Sequence, residues 1–546
     1  MRFCARTLLV LFTILFISTP FVRADVRDRV NKFNGKYSGE RDDKIDAIKA
    51  LGTIDDPELL GLMARVFADE PNAPYDMDTV YRFAYEALLD AKGNDTVKAM
   101  GDYLERKRHW RVRQRFALAM GILKNPASLD QLLKALKSER EEKVQLAITE
   151  ALMGFQKSDA YEQLYKLADK PPSPKVGIRA VLSLGWHDNS KTAKLLEKLM
   201  QNTRNQPVVR AEAMYRLSKR KSQRPAKLVD YALKDKETAM HIIACVVAAK
   251  HELKEFAPRI VNLLEKADTW QLQTAAARAC GELKAVKSVE LLINLWKKNP
   301  GEGIGQAIHS ALLKITGKSF GPRWQYWYHW HKNLDKPLDG AAENEGEYVS
   351  YYGLNIMSKN ICFVMDRSGS MREKAKRMSD YIGEGAVVKE QTRMGYLKAE
   401  MERCIKNLPE DCLFNMVAYH QDIDAWKKGQ VRASGSNKAS AIRWVNNQRG
   451  WGWTNIFDGL VTGWGEFFGS RGKPDYSSGP DTIVLLSDGR PSSGSYTRFS
   501  RFLWEIRRRN RHRMITIHCI GISDECEKLL KDIAEQNHGQ YKLIAE

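Results

Sequence analysis

The sequence predicts an all-α solenoid followed by an α/β domain with a doubly wound, mainly parallel sheet. Two patterns lead to this fold class. From residue 40 to residue 332, an apolar pattern with helical spacing returns about every 32 residues. From residue 356 to residue 546, short runs of strand composition alternate with helical segments. The chain has 546 residues, several times what one hydrophobic core usually serves, so we expect at least two domains.

The repeat is clearest in four successive units. They begin at Val112, Val144, Val176 and Val208, each 32 residues after the one before. In each unit, a helix rich in Ala, Leu and Gly is followed by a short polar break and a second amphipathic helix. Similar units begin near Ile45, Val80, Ala239, Leu272 and Ile304. Because each such unit buries its apolar face only against its neighbours, the pattern predicts an α-solenoid over residues 40–332.

The spacing and the Ala/Leu/Gly pattern resemble short HEAT repeats of the phycobilisome-lyase-like type. The resemblance implies a protein-binding array and does not imply lyase activity. Trp324, Trp327 and His331 share one helical stripe, which is expected to cover the open face of the last repeat. Residues 333–355, whose centre is rich in Gly, Pro, Ala and acidic residues, are expected to be a linker.

Four short apolar runs in the second domain are expected to be strands. They are residues 361–365, 413–419, 482–486 and 515–521. The helices expected between and after them are residues 394–408, 438–447, 457–468, 498–508 and 526–536. Strands that are apolar on both faces are typical of a parallel sheet covered by helices on each side.

Three segments of this domain carry oxygen ligands that suit a divalent cation. Asp366, Ser368 and Ser370 follow the first expected strand, and Asp488 follows another strand. Thr454 precedes an expected helix. Loops at the carboxyl ends of parallel strands form the ligand crevice of such sheets. One carboxylate with hydroxyls two and four residues further on supplies the hard oxygen atoms that Mg²⁺ prefers.

Together these segments are similar to the metal-ion-dependent adhesion site of von Willebrand factor A domains, whose pattern is DxSxS, then Thr, then Asp. The resemblance covers roughly Lys359 to Glu546. It implies that Mg²⁺, or alternatively Mn²⁺ or Ca²⁺, is bound by Asp366, Ser368, Ser370, Thr454 and Asp488. It also implies a protein partner whose Asp or Glu carboxylate completes the coordination shell. The alternative is an intact fold with a dormant metal site.

Two features depart from the family pattern. The segment between Met371 and Met394 is longer than usual and could form a flap beside the metal. Trp453 stands where a small residue commonly precedes the threonine. Either feature could restrict which ligand reaches the cation. Asp458 is expected to be an acceptor behind the ligands or a residue of the helix start, not a ligand.

The N-terminus predicts export. Two arginines precede an apolar run that ends at Val22, and the sequence Val22-Arg23-Ala24 fits a cleavage site. Residues 1–24 are therefore expected to be a signal peptide, and the mature chain to begin near Asp25. An uncleaved anchor is the alternative, and no other stretch is apolar enough to span a membrane. With the solenoid and the A domain, this signal resembles bacterial envelope proteins, which implies a periplasmic, cell-surface or secreted location.

The cysteines are too few for a disulfide scaffold in an exported chain of this length. Cys245, Cys280, Cys362 and Cys519 lie in apolar periodic runs and are expected to be buried thiols. Two interpretations remain for Cys404 and Cys412, which form either a disulfide or two separate thiols.

The expected function is metal-dependent protein binding without enzymatic activity, with the solenoid as a second protein-binding surface. An Mg²⁺-dependent hydrolase is the least favoured alternative. We find no GxxxxGK[ST], GxSxG or HExxH motif, and His420, His512, His518 and His538 are scattered. The net charge of +20 leaves contact with anionic surfaces as a further possibility, without a specific nucleic-acid partner. The basic cluster that could make this contact, or simply form a solvated face, is Arg507, Arg508, Arg509, Arg511 and Arg513.

Overall fold

A computed structural model describes residues 24–69, 80–332, 349–375, 378–469, 472–523 and 526–544. The chain divides into two compact units, one up to Leu199 and one from Met200 onward. The predicted signal peptide lies almost entirely outside the described residues, and so does most of the predicted linker. Residues 24–37 form the first described helix.

Helices occur in successive pairs through the repeat region. The first helices of the pairs are Arg41–Lys49, Val80–Leu89, Trp110–Leu123, Glu142–Ala151, Pro174–Trp186, Pro207–Ser218, Thr238–Lys250, Trp270–Glu282 and Ile304–Thr316. The second helices are Pro57–Asp69, Asn94–Ala99, Ala127–Ser138, Ser158–Asp169, Ser190–Gln201, Pro225–Ala232, Ala257–Lys266, Val289–Lys298 and Trp324–His331. The predicted all-α repeat architecture is confirmed.

Small residues let the first helices of neighbouring repeats come very close. A Cβ atom at Gly121 would lie 2.4 Å from the Cα of Ala151. In the second unit, a Cβ at Gly281 would lie 2.8 Å from the Cα of Ala311. The glycines at these positions are therefore needed for helix packing, because any side chain would collide with the backbone of the next repeat.

Aromatic side chains cover the end of the repeat array, as expected. Trp327 is fully buried, and its indole N–H donates to the carbonyl of Gly321 at 3.0 Å. Its ring contacts Phe320 and Trp330 edge to face. His309, from the helix before, lies against the same indole. The last helix thus closes the apolar core of the final repeat.

The α/β domain begins with a hairpin of β1 (Val349–Tyr351) and β2 (Leu354–Ile356). A separate sheet of seven strands consists of β3 (Asn360–Asp366), β4 (Leu413–Tyr419), β5 (Ile423–Ala425), β6 (Val431–Arg432), β7 (Thr482–Ser487), β8 (Thr516–Gly521) and β9 (His538–Leu543). The strand order is β5-β4-β3-β7-β8-β9, with β6 also paired to β4. Strands β3, β4, β7, β8 and β9 are parallel, and β5 and β6 run antiparallel to β4.

Helices cover both faces of this sheet, so the predicted doubly wound α/β class is confirmed. Arg393–Asn407 and Gly435–Asn446 contribute to the apolar core on one face. The core on the other face includes side chains from Ile456–Gly463, Phe499–Asn510 and Glu527–Gln536. All of the strands predicted from apolar runs are present.

Two parts of this domain differ from the sequence-based expectation. The helix expected over residues 457–468 ends at Gly463. Gly465 has a φ of +68°, and its N–H donates to the carbonyl of Thr462, which turns the chain out of the helix. The hairpin β1–β2 lies almost entirely in residues 333–355, which were expected to be linker. Its Tyr351 and Tyr352 are buried in the core of the α/β domain, which explains why this stretch is ordered.

The last repeats pack against the amino ends of the parallel strands. The N–H of Lys359, just before β3, donates to the carbonyl of Gly301 at 2.7 Å. The carboxylate of Asp481, just before β7, accepts from the N–H of Gly303 at 2.9 Å. Arg278 donates to the carbonyl of Met514 at 3.3 Å, close to the start of β8. The repeats after Met200 therefore share one compact unit with the sheet.

A buried ion pair joins the same two parts of this unit. The guanidinium of Arg511 donates to the carboxylate of Glu212, and these side chains are 8% and 4% exposed. Arg513 lies over the rings of Trp464 and Phe467. The expectation that the basic cluster forms a solvated face is therefore wrong for Arg511, because a carboxylate from the repeats neutralises it.

Cys404 and Cys412 are both buried, and neither forms a disulfide. Both are therefore thiols, and the four cysteines expected to be buried thiols are confirmed. No helix within the described ranges is long and apolar enough to cross a membrane.

Candidate metal centre

Asp366 is the last residue of β3 and lies at the carboxyl end of the sheet. Its side chain is almost fully buried. One carboxylate oxygen accepts the N–H of Ser368 at 2.8 Å. The other accepts the hydroxyls of Ser487 at 2.7 Å and Tyr419 at 3.2 Å. These donors fix the orientation of the carboxylate.

Ser368, Ser370 and Asp488 are brought together beside Asp366. The hydroxyl oxygens of Ser368 and Ser370 are 3.1 Å apart. The hydroxyl of Ser370 donates to the Oδ1 of Asp488 at 2.9 Å. Asp488 directly follows β7, the neighbour of β3, and this pairing places both carboxylates at one edge of the sheet.

Thr454 faces the same small space from a different loop. A Cβ atom at Gly489 would lie 4.0 Å from the hydroxyl oxygens of both Ser370 and Thr454. Ser492 holds the threonine in place, since its hydroxyl accepts the N–H of Thr454 at 2.9 Å. The N–H of Gly369 donates to the carbonyl of Gly452 at 2.9 Å and ties the first loop to the loop of Thr454. All five predicted ligands are therefore near one another.

The pKa values of both carboxylates are raised. Burial raises the pKa of Asp366 above its ordinary value. Burial, and then the charge of Asp366, raises the pKa of Asp488 to about 7. Two buried carboxylates this close are unfavourable when both are ionised, because they repel each other in a poorly solvated place. A cation between them would relieve that repulsion.

Arg393 supplies a cation from within the chain, and the sequence did not single it out. Its guanidinium donates to the Oδ2 of Asp488 at 3.0 Å, and the arginine side chain is only 9% exposed. It also pairs with Glu373 at 3.0 Å. Asp488 thus presents one oxygen to Ser370 and the other to Arg393. Arg393 is the first residue of its helix and is far from Asp488 in the sequence. Only the folded chain therefore brings it to the candidate metal centre.

The long segment before that helix is closed at its base. The N–H of Arg393 donates to the carbonyl of Glu373 at 2.9 Å. The N–H of Ala375 donates to the carbonyl of Gln391 at 3.2 Å. Met378 is fully buried, and the N–H of Gly383 donates to the carboxylate of Glu400 at 2.9 Å. The described part of this segment is therefore held against the domain core.

Asp458 lies behind the ligands, where it holds a neighbouring loop. Its carboxylate accepts the hydroxyl of Ser495 at 2.7 Å and the N–H of the same residue at 3.0 Å. The side chain of Asn455 caps the helix, since it accepts the N–H of Asp458 at 3.2 Å. Asp458 thus supports the loop that follows Asp488.

The chemistry of these residues fits a hard divalent cation. Two carboxylates and three hydroxyls offer only oxygen atoms, the set that Mg²⁺, Mn²⁺ and Ca²⁺ favour. Within the described part of the chain, no three His, Cys, Asp or Glu side chains are grouped to hold a metal ion. Cation binding here would therefore depend on the serine and threonine hydroxyls as well as on the carboxylates.

Comparison with known families assigns both parts of the chain. Residues 75–153 and 130–218 match a model of HEAT repeats, and residues 389–543 match a model of the von Willebrand factor type A domain. The chain carries HEAT repeats followed by a von Willebrand factor type A domain. In this A domain, Thr454 and Asp488 lie inside the matched residues, and the loop of Asp366 precedes them.

Among known proteins, the chain is similar to inter-alpha-trypsin inhibitor heavy chains. It is 26% identical to heavy chain H3 of Mesocricetus auratus over 221 residues, which are 39% of this chain and 22% of the relative. It is 28% identical to heavy chain H1 of Sus scrofa over 218 residues, which are 39% of this chain and 22% of the relative. The chain therefore spans about a fifth of the length of these relatives.

A solved von Willebrand factor type A protein from Catenulispora acidiphila is also similar. The identity is 22%, and the match covers 35% of this chain and 40% of the other. The TM-score is 0.27, so the assignment of the A domain depends on the sequence-family match instead.

Proposed function

We propose that this protein is an exported binding protein whose A domain holds a divalent cation and uses it to bind a protein partner. The single observation that carries the proposal is the convergence of oxygen ligands from three loops, namely Asp366, Ser368, Ser370, Thr454 and Asp488. Mg²⁺ is the preferred cation, since only two of the five ligands are carboxylates.

The same residues leave room for a ligand from outside. Ser370 is only half-buried, and Gly452 and Trp453 beside it are exposed. A bound cation would supply an electrophilic position that an Asp or Glu of the partner can fill. Burial of the site strengthens such a contact, because water screens it less.

The repeat region is proposed as a second protein-binding surface. HEAT arrays expose long rows of helices, and their extended faces commonly bind other proteins. We also propose that export directs the protein to the periplasm, the cell surface or the medium. Support comes from the basic and apolar N-terminal sequence.

We propose that the protein is not an enzyme. Of the scattered histidines, His512 and His518 are buried, and burial lowers the pKa of each to about 4. The pKa of His538 is also lowered well below its ordinary value, by Arg278 and by burial. None of the three is therefore poised to exchange protons near neutral pH.

Calorimetric titration of the full chain with Mg²⁺ and Mn²⁺ tests the proposal. Asp366→Ala removes the only carboxylate of the first loop, so the affinity for either cation should fall at least tenfold, roughly the loss of one charged ligand contact. Ser368→Ala should weaken binding less, because water can replace a neutral oxygen.

Asp422→Ala is the matched control, since this exposed carboxylate is close in sequence to β4 and outside the ligand set. It should leave cation affinity unchanged. Equal affinity in the wild type and in Asp366→Ala would place any bound cation elsewhere and remove the basis of the proposal.

A further inference from the structure

The loop that carries Thr454 also exposes two tryptophans. Trp451 is 49% exposed and Trp453 is 40% exposed, although both are large apolar side chains. They flank Gly452, whose carbonyl accepts from Gly369 in the loop of Asp366. Exposed aromatic residues that are this close to each other commonly mark a binding surface.

Hydrogen bonds hold the backbone of both tryptophans in place. The N–H of Trp451 donates to the carbonyl of Arg367 at 3.0 Å, directly beside Asp366. The N–H of Trp453 donates to the side-chain oxygen of Gln421 at 3.0 Å. The ring of Trp451 also meets His420 edge to face at 4.4 Å. The backbone that carries both indoles is therefore already ordered, so ligand binding costs little backbone conformational entropy here.

Each of the three loops that carry the candidate ligands exposes an arginine. Arg372, Arg449 and Arg490 are exposed, one on each of the three loops. Asp366 and Asp488, on the same loops, are buried in the candidate metal centre. The exposed carboxylate of Glu373, next to Arg372, pairs with Arg393. Arg372 also lies beside the loop of the tryptophans, since a Cβ atom at Gly450 would be 3.1 Å from its side chain.

We propose that this surface, formed by Trp451, Trp453, Arg372, Arg449 and Arg490, selects an acidic segment of a partner protein. One carboxylate of the segment reaches the cation, a neighbouring apolar side chain packs against the tryptophans, and further acidic residues face the arginines. The inference rests on the proposed function and narrows its partner to one class.

The composition of the surface favours a protein over a glycan. Tryptophan and arginine are the residues that contribute most to protein–protein binding energy. The arginines add selection by charge, because they attract acidic segments and repel basic ones. A neutral sugar could accept hydrogen bonds from the three arginines but would offer them no opposite charge.

Three fluorescent peptides would test the inference with the full chain. The first contains a leucine followed by an aspartate and two glutamates between Gly-Ser flanks. The second replaces the leucine by glycine, and the third replaces the acids by their amides. Fluorescence anisotropy is measured in Mg²⁺ and again in EDTA, and an oligosaccharide of alginate serves as an acidic glycan competitor.

The first peptide should bind in Mg²⁺ and lose at least about tenfold in affinity in EDTA. The second should bind about tenfold more weakly than the first, and the third should not bind. The double variant Trp451→Ala with Trp453→Ala should bind the first peptide as weakly as the wild type binds the second peptide. Trp186→Ala is the matched control, an exposed tryptophan in the other compact unit, and should behave like the wild type.

Charge reversal tests the arginines separately. The double variant Arg372→Glu with Arg449→Glu should bind the first peptide at least about tenfold more weakly than the wild type. Its binding should also be less sensitive to salt. Arg204→Glu, an exposed arginine of the repeats, is the matched control and should change little. Cation affinity of every variant is measured by calorimetry, so that a damaged metal centre is recognised.

The outcomes separate this inference from the proposed function. EDTA-sensitive binding that is equal for the first two peptides would overturn the inference and leave metal-dependent binding intact. Displacement by the oligosaccharide at lower concentration than by unlabelled peptide would overturn the choice of a protein partner. Binding that is insensitive to EDTA but lost on charge reversal would overturn both and indicate simple attraction of polyanions.

Discussion

The guanidinium of Arg393 and the carboxylate of Asp488 form a buried ion pair at the metal centre. Without a divalent cation, Arg393 is the group that offsets the repulsion between Asp488 and Asp366. A dication and a guanidinium on the same carboxylate would repel each other, so the arginine would limit the affinity of the candidate site for a metal ion. Arg393 therefore stabilises the buried carboxylates without metal, and this would lower the affinity for a cation.

Arg393→Gln should lower the thermal midpoint of the A domain by roughly 5 °C or more in EDTA, because it leaves a buried carboxylate without its partner. The rise in midpoint on adding Mg²⁺ should be larger than in the wild type, since the cation replaces the lost positive charge. Differential scanning calorimetry with and without Mg²⁺ measures both effects. Arg393→Lys keeps the charge and should give an intermediate result. A smaller Mg²⁺ effect in Arg393→Gln would contradict this role.

The five candidate ligands could be proposed from the sequence because each follows a strand or precedes a helix in a recognisable order. Their supporting residues could not. Tyr419 ends a different strand, and Ser487 directly follows the apolar run of β7, with no pattern that marks it as a partner of Asp366. Arg393 reads as an ordinary helix residue. Their roles arise from strand order and register, which sequence patterns do not encode directly.

At the scale of single elements, close contact between first helices makes the repeats sensitive to side-chain volume. Gly121 meets Ala151 almost backbone to backbone. Gly35, in the helix over residues 24–37, has no atom within 4 Å of where its Cβ would be. The same substitution at these two glycines should therefore have opposite effects.

Gly121→Ala should destabilise the unit up to Leu199 by about 1–2 kcal/mol, because overpacking outweighs the gain in helix propensity. Gly35→Ala should be neutral or stabilise by about 0.5–1 kcal/mol, since it only improves the helix. Urea unfolding followed by circular dichroism would measure both. A stabilising Gly121→Ala would show that the neighbouring helices separate easily.

The helices of the repeats and the central strands were predictable because their apolar spacing is strong and sustained. The edge of the sheet was not. Strand β9, with the sequence His-Gly-Gln-Tyr-Lys-Leu, has little strand composition, and its order comes from pairing with β8. The hairpin β1–β2 lay inside a stretch that looked like linker. In both cases tertiary contacts outweigh local propensity.

For the unit that begins at Met200, the contact between the repeats and the A domain depends on buried polar groups. The carboxylate of Glu212 forms an ion pair with Arg511 of the A domain. Arg216, from the same helix as Glu212, also pairs with this carboxylate at 3.0 Å. Burial opposes ionisation of Glu212, yet its pKa is lowered because the arginines outweigh that effect. Loss of this carboxylate would leave Arg511 buried without its partner.

Glu212→Gln should therefore destabilise this unit by about 3–5 kcal/mol, the usual effect of breaking a buried ion pair. Glu282→Gln is the matched control, because Glu282 pairs with Lys314 at the surface and should change stability by no more than about 0.5 kcal/mol. Urea unfolding monitored by tryptophan fluorescence compares the two variants. Similar small effects would mean that the ion pair contributes little to the contact.

The repeats hold the amino ends of β3, β7 and β8, and the candidate ligands lie at the opposite ends of β3 and β7. A partner that pulls on a bound cation would load these strands along their length. The covalent backbones of β3 and β7 would then carry the force, and the hydrogen bonds between the strands would not be peeled apart one at a time. Attachment at the two ends of the same strands thus suits the A domain to bear tension between its ligand and the last repeats.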